Sequence, residues 1–274
     1  MQPIYTFFDV ILMQPLTSGL IFCYRIFGQN LGIAILVFSV ALIFLLRPLT
    51  KPYLESMKKI KAMEPQMNKI KKKFGSDKMK ISQAQAELYK ENKVNPAAGC
   101  LPYILQFIIL ISLFRVFTGV LTGNVITNID RFLYTPLKFT QNETLNTKFW
   151  YLDVTKPDKL KLLIPGVPDF IPGLFVILAA LAQFASVKIT APFLSEEERM
   201  AKKTKGEADD MQVAMTQSMT YTLPLITLYF GLTFSSGIAL YWLVFSVVSA
   251  WQQVGMNGWG SLTPFARRLH LLKS

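Results

Sequence analysis

The sequence predicts an all-α integral membrane protein with five transmembrane helices, the N-terminus outside and the C-terminus inside. An N-terminal interfacial helix and a cytoplasmic antiparallel coiled-coil hairpin complete the predicted fold. First, hydrophobic residues make up 51% of the 274-residue chain, and its mean hydropathy is +0.35. Second, only 17% of the residues are charged, whereas soluble domains carry about 25%. Third, long apolar segments alternate with polar segments that hold most of the charge.

The N-terminal region, residues 1–28, predicts an amphipathic helix in the membrane interface followed by a lead-in to the first span. Its large apolar side chains recur on one helical face. They are Ile4, Phe7, Phe8, Ile11 and Leu12. Asp9 and Pro15 make this stretch a poor span, and it lacks the basic start of a secretory signal. An unstructured start of the first span is the alternative.

Five apolar segments are long enough to cross a hydrocarbon core, which takes about 20 helical residues. The predicted spans cover residues 29–50, 95–121, 165–188, 215–234 and 237–257. The first span could also extend backward through "GLIFCYRIFG". A short Ser-Ser-Gly turn separates the last two, which should therefore form a tight transmembrane hairpin.

The connecting segments set the orientation. Residues 51–94 contain twelve Lys and five Asp or Glu, which gives +7 of the net charge of +12. The loop 189–214 and the tail 258–274 are also rich in Lys and Arg. Because loops rich in Lys and Arg stay inside, these three segments are predicted to be cytoplasmic. The N-terminus and the loop 122–164 are then extracytoplasmic, and this loop is expected to be irregular.

The segment 51–94 predicts the coiled-coil hairpin. Apolar residues recur at spacings of three and four, which indicates a heptad seam. They are Tyr53, Met57, Ile60, Met63, Met67, Ile70 and Phe74. "GSDK" supplies a turn, and a second helix follows over about 79–92. Pro65 is the weak point of this prediction, because a proline inside a helix removes a hydrogen bond.

Lysines surround the seam of the hairpin. They include Lys58, Lys59, Lys61, Lys71, Lys72 and Lys73. Clustered cations bind phosphates, so contact with anionic lipids or with ribosomal RNA is one interpretation. The methionines of the seam are also suited to contact apolar clients. A solvated helix face that marks the cytoplasmic side explains the same pattern, and the alternatives stay open.

Several motifs in order resemble one family. They are "RPLTKPYLESMKKIKAMEPQMNKIKKKFG", "VNPAAGCLPYILQ" and "GIALYWLVFSVVSAWQQ". The chain resembles the YidC/Oxa family of membrane protein insertases from about residue 8 to residue 257, in the short form without the large extracytoplasmic domain. The resemblance implies a hydrophilic groove open to the cytoplasm and to lipid. It implies that nascent membrane proteins are inserted there, alone or with the Sec translocon, with no cofactor, nucleotide or small-molecule substrate.

The polar residues of the apolar segments are the candidates for lining such a groove. They are Arg47, Gln106, Gln183, Ser246, Ser249 and Gln252, together with Trp242, which resembles a family tryptophan. A chain entering the bilayer must not leave polar groups unsatisfied in hydrocarbon, and amide side chains shorten that apolar barrier. The amides could equally serve as polar contacts between helices. Trp242 could equally be an interfacial anchor.

Arg47 departs from the family pattern. The family arginine stands five residues before the proline of "PLT", and Ile43 occupies that position here. In one continuous helix, positions 43 and 47 lie one turn apart, about 6 Å along the axis. A side chain at 47 would lean back toward the bilayer centre. We therefore predict a guanidinium in the lower groove that attracts acidic tails, with a boundary arginine at the lipid headgroups as the alternative.

Other functions are weaker matches. A small multi-span transporter or channel, the main alternative, should show paired charges within its spans and inverted repeats, and the sequence offers neither. Two distant cysteines make no metal cluster or disulfide framework. The one histidine, His270, lies in the tail, so no catalytic triad is expected. The sequence therefore predicts a protein that is not an enzyme and that resides in the cell membrane. Its expected partners are nascent membrane proteins, the Sec translocon, the ribosome and anionic lipids.

Overall fold

The computed structural model describes residues 9–75, 77–94, 106–115, 125–140, 143–160, 171–190 and 210–268. The chain divides into two compact units. The first comprises Met1–Leu45, Leu105–Gln183 and Pro224–Val248, and the second comprises Leu46–Ile104, Phe184–Leu223 and Ser249–Ser274. Each unit is described by itself.

Helices make up most of the described chain. In chain order they are a π-helix at Asp9–Met13, then α1 (Gln14–Ile26), α2 (Leu31–Leu45), α3 (Arg47–Ala62), α4 (Glu64–Phe74), α5 (Lys78–Glu91), α6 (Gln106–Arg115), α7 (Val125–Asp130), α8 (Leu174–Thr190), α9 (Asp210–Thr233), α10 (Ser236–Asn257) and α11 (Thr263–Arg268). Short 3-10 turns lie at Thr135–Leu137 and Gly260–Leu262.

In the first unit, α1 and α2 form a helical pair. The chain reverses between them, where Gly28 and Gln29 both adopt positive φ. Asn30 then caps α2 by accepting the Ile33 N–H at 3.1 Å. The first apolar segment therefore does not extend backward as one helix. Asp9 lies in the π-helix and Pro15 in the first turn of α1, while residues 1–8 of the predicted interfacial helix lie outside the described residues.

The predicted first span, 29–50, is divided in the structure. The helix α2 ends at Leu45 and α3 begins at Arg47. Pro48 has no N–H to continue the first helix, and the carbonyl of Leu46 instead accepts the N–H groups of Leu49 and Thr50. Ile43 and Arg47 therefore lie in different helices. The expectation of one continuous helix through positions 43 and 47 was wrong.

The loop predicted over 122–164 is more regular than expected. Besides α7, it contains β1 (Lys148–Phe149) paired antiparallel with β2 (Leu152–Asp153). A second ladder pairs β3 (Lys159–Leu160) with β4 (Ile171–Pro172). The all-α prediction thus missed two short strand pairs, because strands of two residues leave no alternating pattern in a sequence.

A small hydrophobic core packs this loop against α1 and the π-helix before it. Met13 and Ile21 pack with Ile129 and Leu133, and all four side chains are buried. The next part of the loop also caps the start of α10. The Ser236 N–H donates to the Lys156 carbonyl at 2.7 Å, and the Gly237 N–H donates to the Val154 carbonyl at 2.9 Å.

In the second unit, α4 and α5 pack side by side around a core of buried residues. Its members are Met63, Met67, Leu88 and Val94. The predicted helix over 53–74 breaks at Met63, so that Pro65 stands in the first turn of α4, where a missing N–H costs nothing. The Asp77 carboxylate caps α5 by accepting the Lys80 N–H at 3.1 Å. Whether the pair makes a regular coiled coil stays a prediction.

One helix of the described chain is long and apolar enough to cross a membrane, over Ser236–Gly255. Shorter apolar helices cover Leu31–Leu45, Gln106–Arg115 and Leu174–Ile189. Parts of the predicted spans, including residues 95–105 and 116–121, lie outside the described residues. The structure therefore agrees with a mostly helical membrane protein, and the number of five spans stays a prediction.

Candidate functional site

Gln106 is paired with a residue that the sequence did not single out. The Tyr241 hydroxyl donates to the Gln106 Oε1 at 2.8 Å, joining α10 to α6 in the first unit. Tyr241 is 1% exposed, while Gln106 is only half-buried. A buried tyrosine normally finds a hydrogen-bond partner, so a tyrosine in an apolar helix was a signal that an acceptor lies nearby.

Gln183 has an equivalent partner. The Thr227 hydroxyl of α9 donates to the Gln183 Oε1 of α8, again within the first unit. Thr227 is buried, and Gln183 is half-buried. Thr227 was also missed, since a threonine in an apolar helix more often bonds to a carbonyl of its own helix.

These two amide–hydroxyl pairs share one chemistry. In each pair a buried hydroxyl of one helix donates to the amide oxygen of another. The NH₂ group of each glutamine keeps its two N–H donors. Because both glutamines are half-buried, these donors belong to side chains with some exposed surface. The pairs act as contacts between helices and also hold amide groups in fixed orientations at that surface.

Two further candidates of the first unit lie on α10 and are buried. Trp242 is 7% exposed and follows Tyr241 directly, and Ser246 is 4% exposed one helical turn further on. Trp242 therefore packs within the first unit, and whether it contributes to a groove or anchors the chain at the interface stays a prediction.

The remaining candidates belong to the second unit. Ser249 and Gln252 are half-buried on α10. The Gln252 Nε2 is buried and has no hydrogen-bond partner among the described residues. Arg47 is exposed and is the first residue of α3, where its carbonyl accepts the Thr50 hydroxyl at 3.2 Å.

The hairpin lysines present a charged, solvated face. Lys58, Lys59, Lys72 and Lys73 are exposed, and the Lys73 Nζ stands 5.3 Å from the centre of the Phe74 ring. The side chains of Lys61 and Lys71 lie outside the described part of the structure. This arrangement suits phosphate binding and simple solvation equally, so the role of the lysines stays a prediction.

Metal ligands are not grouped in the described part of the chain. Within it, no set of three His, Cys, Asp or Glu side chains lies close enough to hold an ion. The candidate residues themselves offer hydrogen bonding by amides and hydroxyls, and Arg47, at the end of the first apolar segment, adds a positive charge.

Comparison with known proteins decides the family. The family model described as 60Kd inner membrane protein matches residues 22–261, which is most of the chain. The chain belongs to the 60Kd inner membrane protein family. This confirms the resemblance to the YidC/Oxa family and the expected location, because members of the 60Kd inner membrane protein family are inner membrane proteins.

Two curated relatives carry the name membrane protein insertase YidC. The relative from Syntrophobacter fumaroxidans is 29% identical over 251 residues, covering 90% of this chain and 38% of the relative. The relative from Shewanella sp. strain W3-18-1 is 33% identical over 236 residues, covering 85% of this chain and 35% of the relative. The chain thus spans little more than a third of the length of the curated relatives that it matches.

Proposed function

We propose that this chain is a membrane protein insertase and chaperone that inserts client transmembrane segments through a hydrophilic groove. The groove is open to the cytoplasm and to lipid, and the clients are nascent membrane proteins. The name shared by the relatives supports the role. The observation that carries the mechanism is the two amide–hydroxyl pairs, Gln106 with Tyr241 and Gln183 with Thr227, held between apolar helices.

The physical argument concerns the polar tail of a client. An unsatisfied backbone N–H or C=O in hydrocarbon costs several kcal/mol, so a polar tail crosses a bilayer slowly without help. Half-buried amides, and the water that they bind, lower this barrier by replacing some of the lost hydrogen bonds. The client span itself then partitions into lipid without an energy source, because its burial there is favourable.

Arg47 is proposed as the charge that attracts acidic client tails. Its exposed guanidinium offers five N–H donors to carboxylates. Ser249 and Gln252 are proposed as further polar contacts. The Gln252 Nε2 has no hydrogen-bond partner among the described residues, which supports this, since a buried donor gains a hydrogen bond when a client offers an acceptor.

The proposed partners follow from the same chemistry. The hairpin lysines suit anionic lipid headgroups, and ribosomal RNA offers the same phosphate chemistry. The Sec translocon is proposed as a further partner, because the family resemblance implies insertion either alone or with it. No small-molecule substrate is proposed.

Reconstitution into protein-free liposomes tests the proposal. The client is a small single-span protein with an acidic N-terminal tail, and a neutral-tail version serves as its control. The chain variants are wild type, Arg47→Ala, Arg47→Ala with Ile43→Arg, and Lys51→Ala. Lys51 is 73% exposed, so its substitution removes the same charge from a solvated position close by.

We expect wild type to insert both clients. Arg47→Ala should insert the acidic-tail client about fivefold more slowly, because one charge pair in water is worth about 1 kcal/mol. Lys51→Ala should be unchanged. Failure of well-folded wild type would contradict autonomous insertion, and passage of small solutes in the same vesicles would favour a transporter or channel. Unchanged insertion by Arg47→Ala would show that Arg47 is a boundary residue, and the groove would then operate through its amide side chains.

A further inference from the structure

The tip of the β1–β2 hairpin presents a tryptophan in an unusual backbone conformation. Trp150 and Tyr151 form the two-residue turn between Phe149 and Leu152. Trp150 has a φ of 53°, at the position where such turns prefer glycine. It is also 78% exposed, more than any other large apolar side chain that the structure describes. A strained backbone that holds a large apolar side chain away from the protein calls for a function.

The tip is packed against the first turn of α8. The Trp150 ring meets the Phe175 ring edge-on, with centroids 5.9 Å apart, and the Tyr151 ring stacks on Phe175 at 5.8 Å. The three rings form one cluster, here called the tip cluster. Its exposed part, the Trp150 indole, therefore lies beside the N-terminal end of an apolar helix.

That helix carries an exposed apolar stripe that continues from the tip cluster. Its members recur at helical spacings of three and four and are 36–59% exposed: Leu174, Ile177, Leu178 and Leu181. In a protein of the inner membrane, an apolar stripe of this kind faces lipid. The tip cluster thus stands at the end of a lipid-facing surface, and tryptophan is enriched where such surfaces meet the headgroups.

The charges beside the tip also suit contact with lipid headgroups. Lys148 and Lys156 are 74% and 72% exposed, and both approach the one carboxylate of Asp153, at 3.5 and 3.9 Å. The Asp153 side chain is only 16% exposed and the second carboxylate beside the tip, Asp158, is buried, so the charge presented at the surface near the tip is that of the two lysines. This charge complements lipid phosphates.

A buried carboxylate ties the tip to α8. Asp158 is 2% exposed, and it accepts the Phe175 N–H at 3.0 Å and the Tyr151 hydroxyl at 3.1 Å. The Tyr151 oxygen in turn accepts the Leu174 N–H at 3.1 Å. Burial, and then the Asp158 charge, raise the pKa of Tyr151, so that the phenol stays protonated as a donor. The tip and the start of α8 therefore move together.

We propose that the Trp150–Tyr151 tip is a lipid anchor, seated in the headgroup layer of the bilayer, that sets the depth of α8. The indole provides an apolar ring with one N–H donor, which matches the mixed chemistry of that layer. The Asp158 contacts transmit the position of the tip to the first turn of α8. This proposal does not depend on insertion of clients by the chain.

Fluorine NMR of the full chain labelled with fluorotryptophan tests the anchor. The liposomes contain phosphatidylcholine and phosphatidylglycerol, and Trp150→Phe assigns the Trp150 signal by its disappearance. A lipid with a nitroxide at the headgroup should broaden the Trp150 signal until it is lost, and a gadolinium chelate in the water should leave it visible. The buried Trp242 is the internal control and should survive both. Loss of the Trp150 signal only with the aqueous chelate would overturn the proposal and favour a water-facing contact with another protein.

A second measurement follows the depth of α8. A nitroxide on Leu178→Cys, in a chain with Cys23 and Cys100 replaced by alanine, reports its accessibility to oxygen and to a water-soluble nickel chelate. Trp150→Ser should lower the ratio of oxygen accessibility to nickel-chelate accessibility, and Trp150→Phe should leave this ratio near the wild-type value. An equal ratio in all three chains would refute the coupling of the tip to the depth of α8.

Discussion

Removal of one hydroxyl tests whether the Gln106–Tyr241 pair holds the first unit together. The Tyr241 hydroxyl donates to the Gln106 Oε1 at 2.8 Å. Tyr241→Phe keeps the ring in place and removes only this donor. Tyr241 is 1% exposed, so no water replaces the hydroxyl without rearrangement of the packing around it. The substitution therefore isolates a single hydrogen bond between two apolar helices.

The size of the effect follows from the surroundings of each partner. A hydrogen bond contributes about 0.5–1.5 kcal/mol to the free energy of unfolding. Pairs between membrane helices average about 0.6 kcal/mol. Because Gln106 is half-buried, water can partly satisfy its oxygen in the variant, and the loss should not approach the cost of a fully buried acceptor. We expect about 1 kcal/mol, which lowers the unfolding temperature of a chain of this size by about 2–4 °C.

The assay is thermal unfolding in detergent micelles, arranged as a double-mutant cycle with Gln106→Leu. If the hydrogen bond carries the effect, the two substitutions should couple by about 0.5–1.5 kcal/mol. Tyr229→Phe is the matched control, because Tyr229 is 66% exposed on α9, and it should unfold like wild type. Additive losses within about 0.3 kcal/mol would refute the reasoning and leave Tyr241 as a packing residue only.

Two further predictions concern the loop of the first unit. A Cβ at Gly173 would collide with the Asp158 carboxylate, so Gly173→Ala should displace this cap of α8 and lower the free energy of unfolding by about 1.5–3 kcal/mol. Gly255→Ala, whose Cβ meets no neighbour, should be neutral or stabilising in thermal unfolding. Equal unfolding temperatures for the two variants would contradict this expectation. Burial acts to raise the pKa of Asp153, but hydrogen bonds led by that from Thr155 prevail, and the pKa lies below its usual value. Its contribution to stability is therefore present above the usual Asp pKa of about 3.9 and is lost as the pH falls through the lowered pKa, so the difference in unfolding temperature between wild type and Asp153→Asn should shrink on acidification. A difference that stays constant with pH would exclude this role.

The apolar segments were the predictable part of the fold. Helix α10, Ser236–Asn257, occupies the segment 237–257 chosen as a span, because a mostly apolar segment of about twenty residues without a proline has few alternatives to a helix. Helix α8 starts at Leu174, later than the predicted 165, because Ile171–Pro172 pairs with β3 instead. Local pattern gives the type of an element, while its end depends on such pairings.

The partners of the candidate residues were beyond the reach of the sequence. Tyr241 and Gln106 are 135 positions apart, and Thr227 and Gln183 are 44 apart. Helical periodicity relates residues within one helix, and it carries no information on which hydroxyl of another helix meets an amide. Asp158 was missed for the same reason, since the N–H groups that it accepts belong to a helix that begins sixteen residues later.

The helix break at Leu46 changes the argument for Arg47 and gives it a sharper test. As the first residue of α3, Arg47 stands at the positive end of a helix dipole, where a cation is unfavourable by about 0.3–1 kcal/mol. If Arg47 were a structural boundary residue, Arg47→Ala should leave the unfolding temperature and insertion equal to wild type or lower both together. If it is retained to attract acidic tails, Arg47→Ala should unfold at the same or a slightly higher temperature while inserting the acidic-tail client more slowly. The opposite signs of the two effects would separate a functional charge from a structural one, because no loss of folding could then explain the loss of insertion.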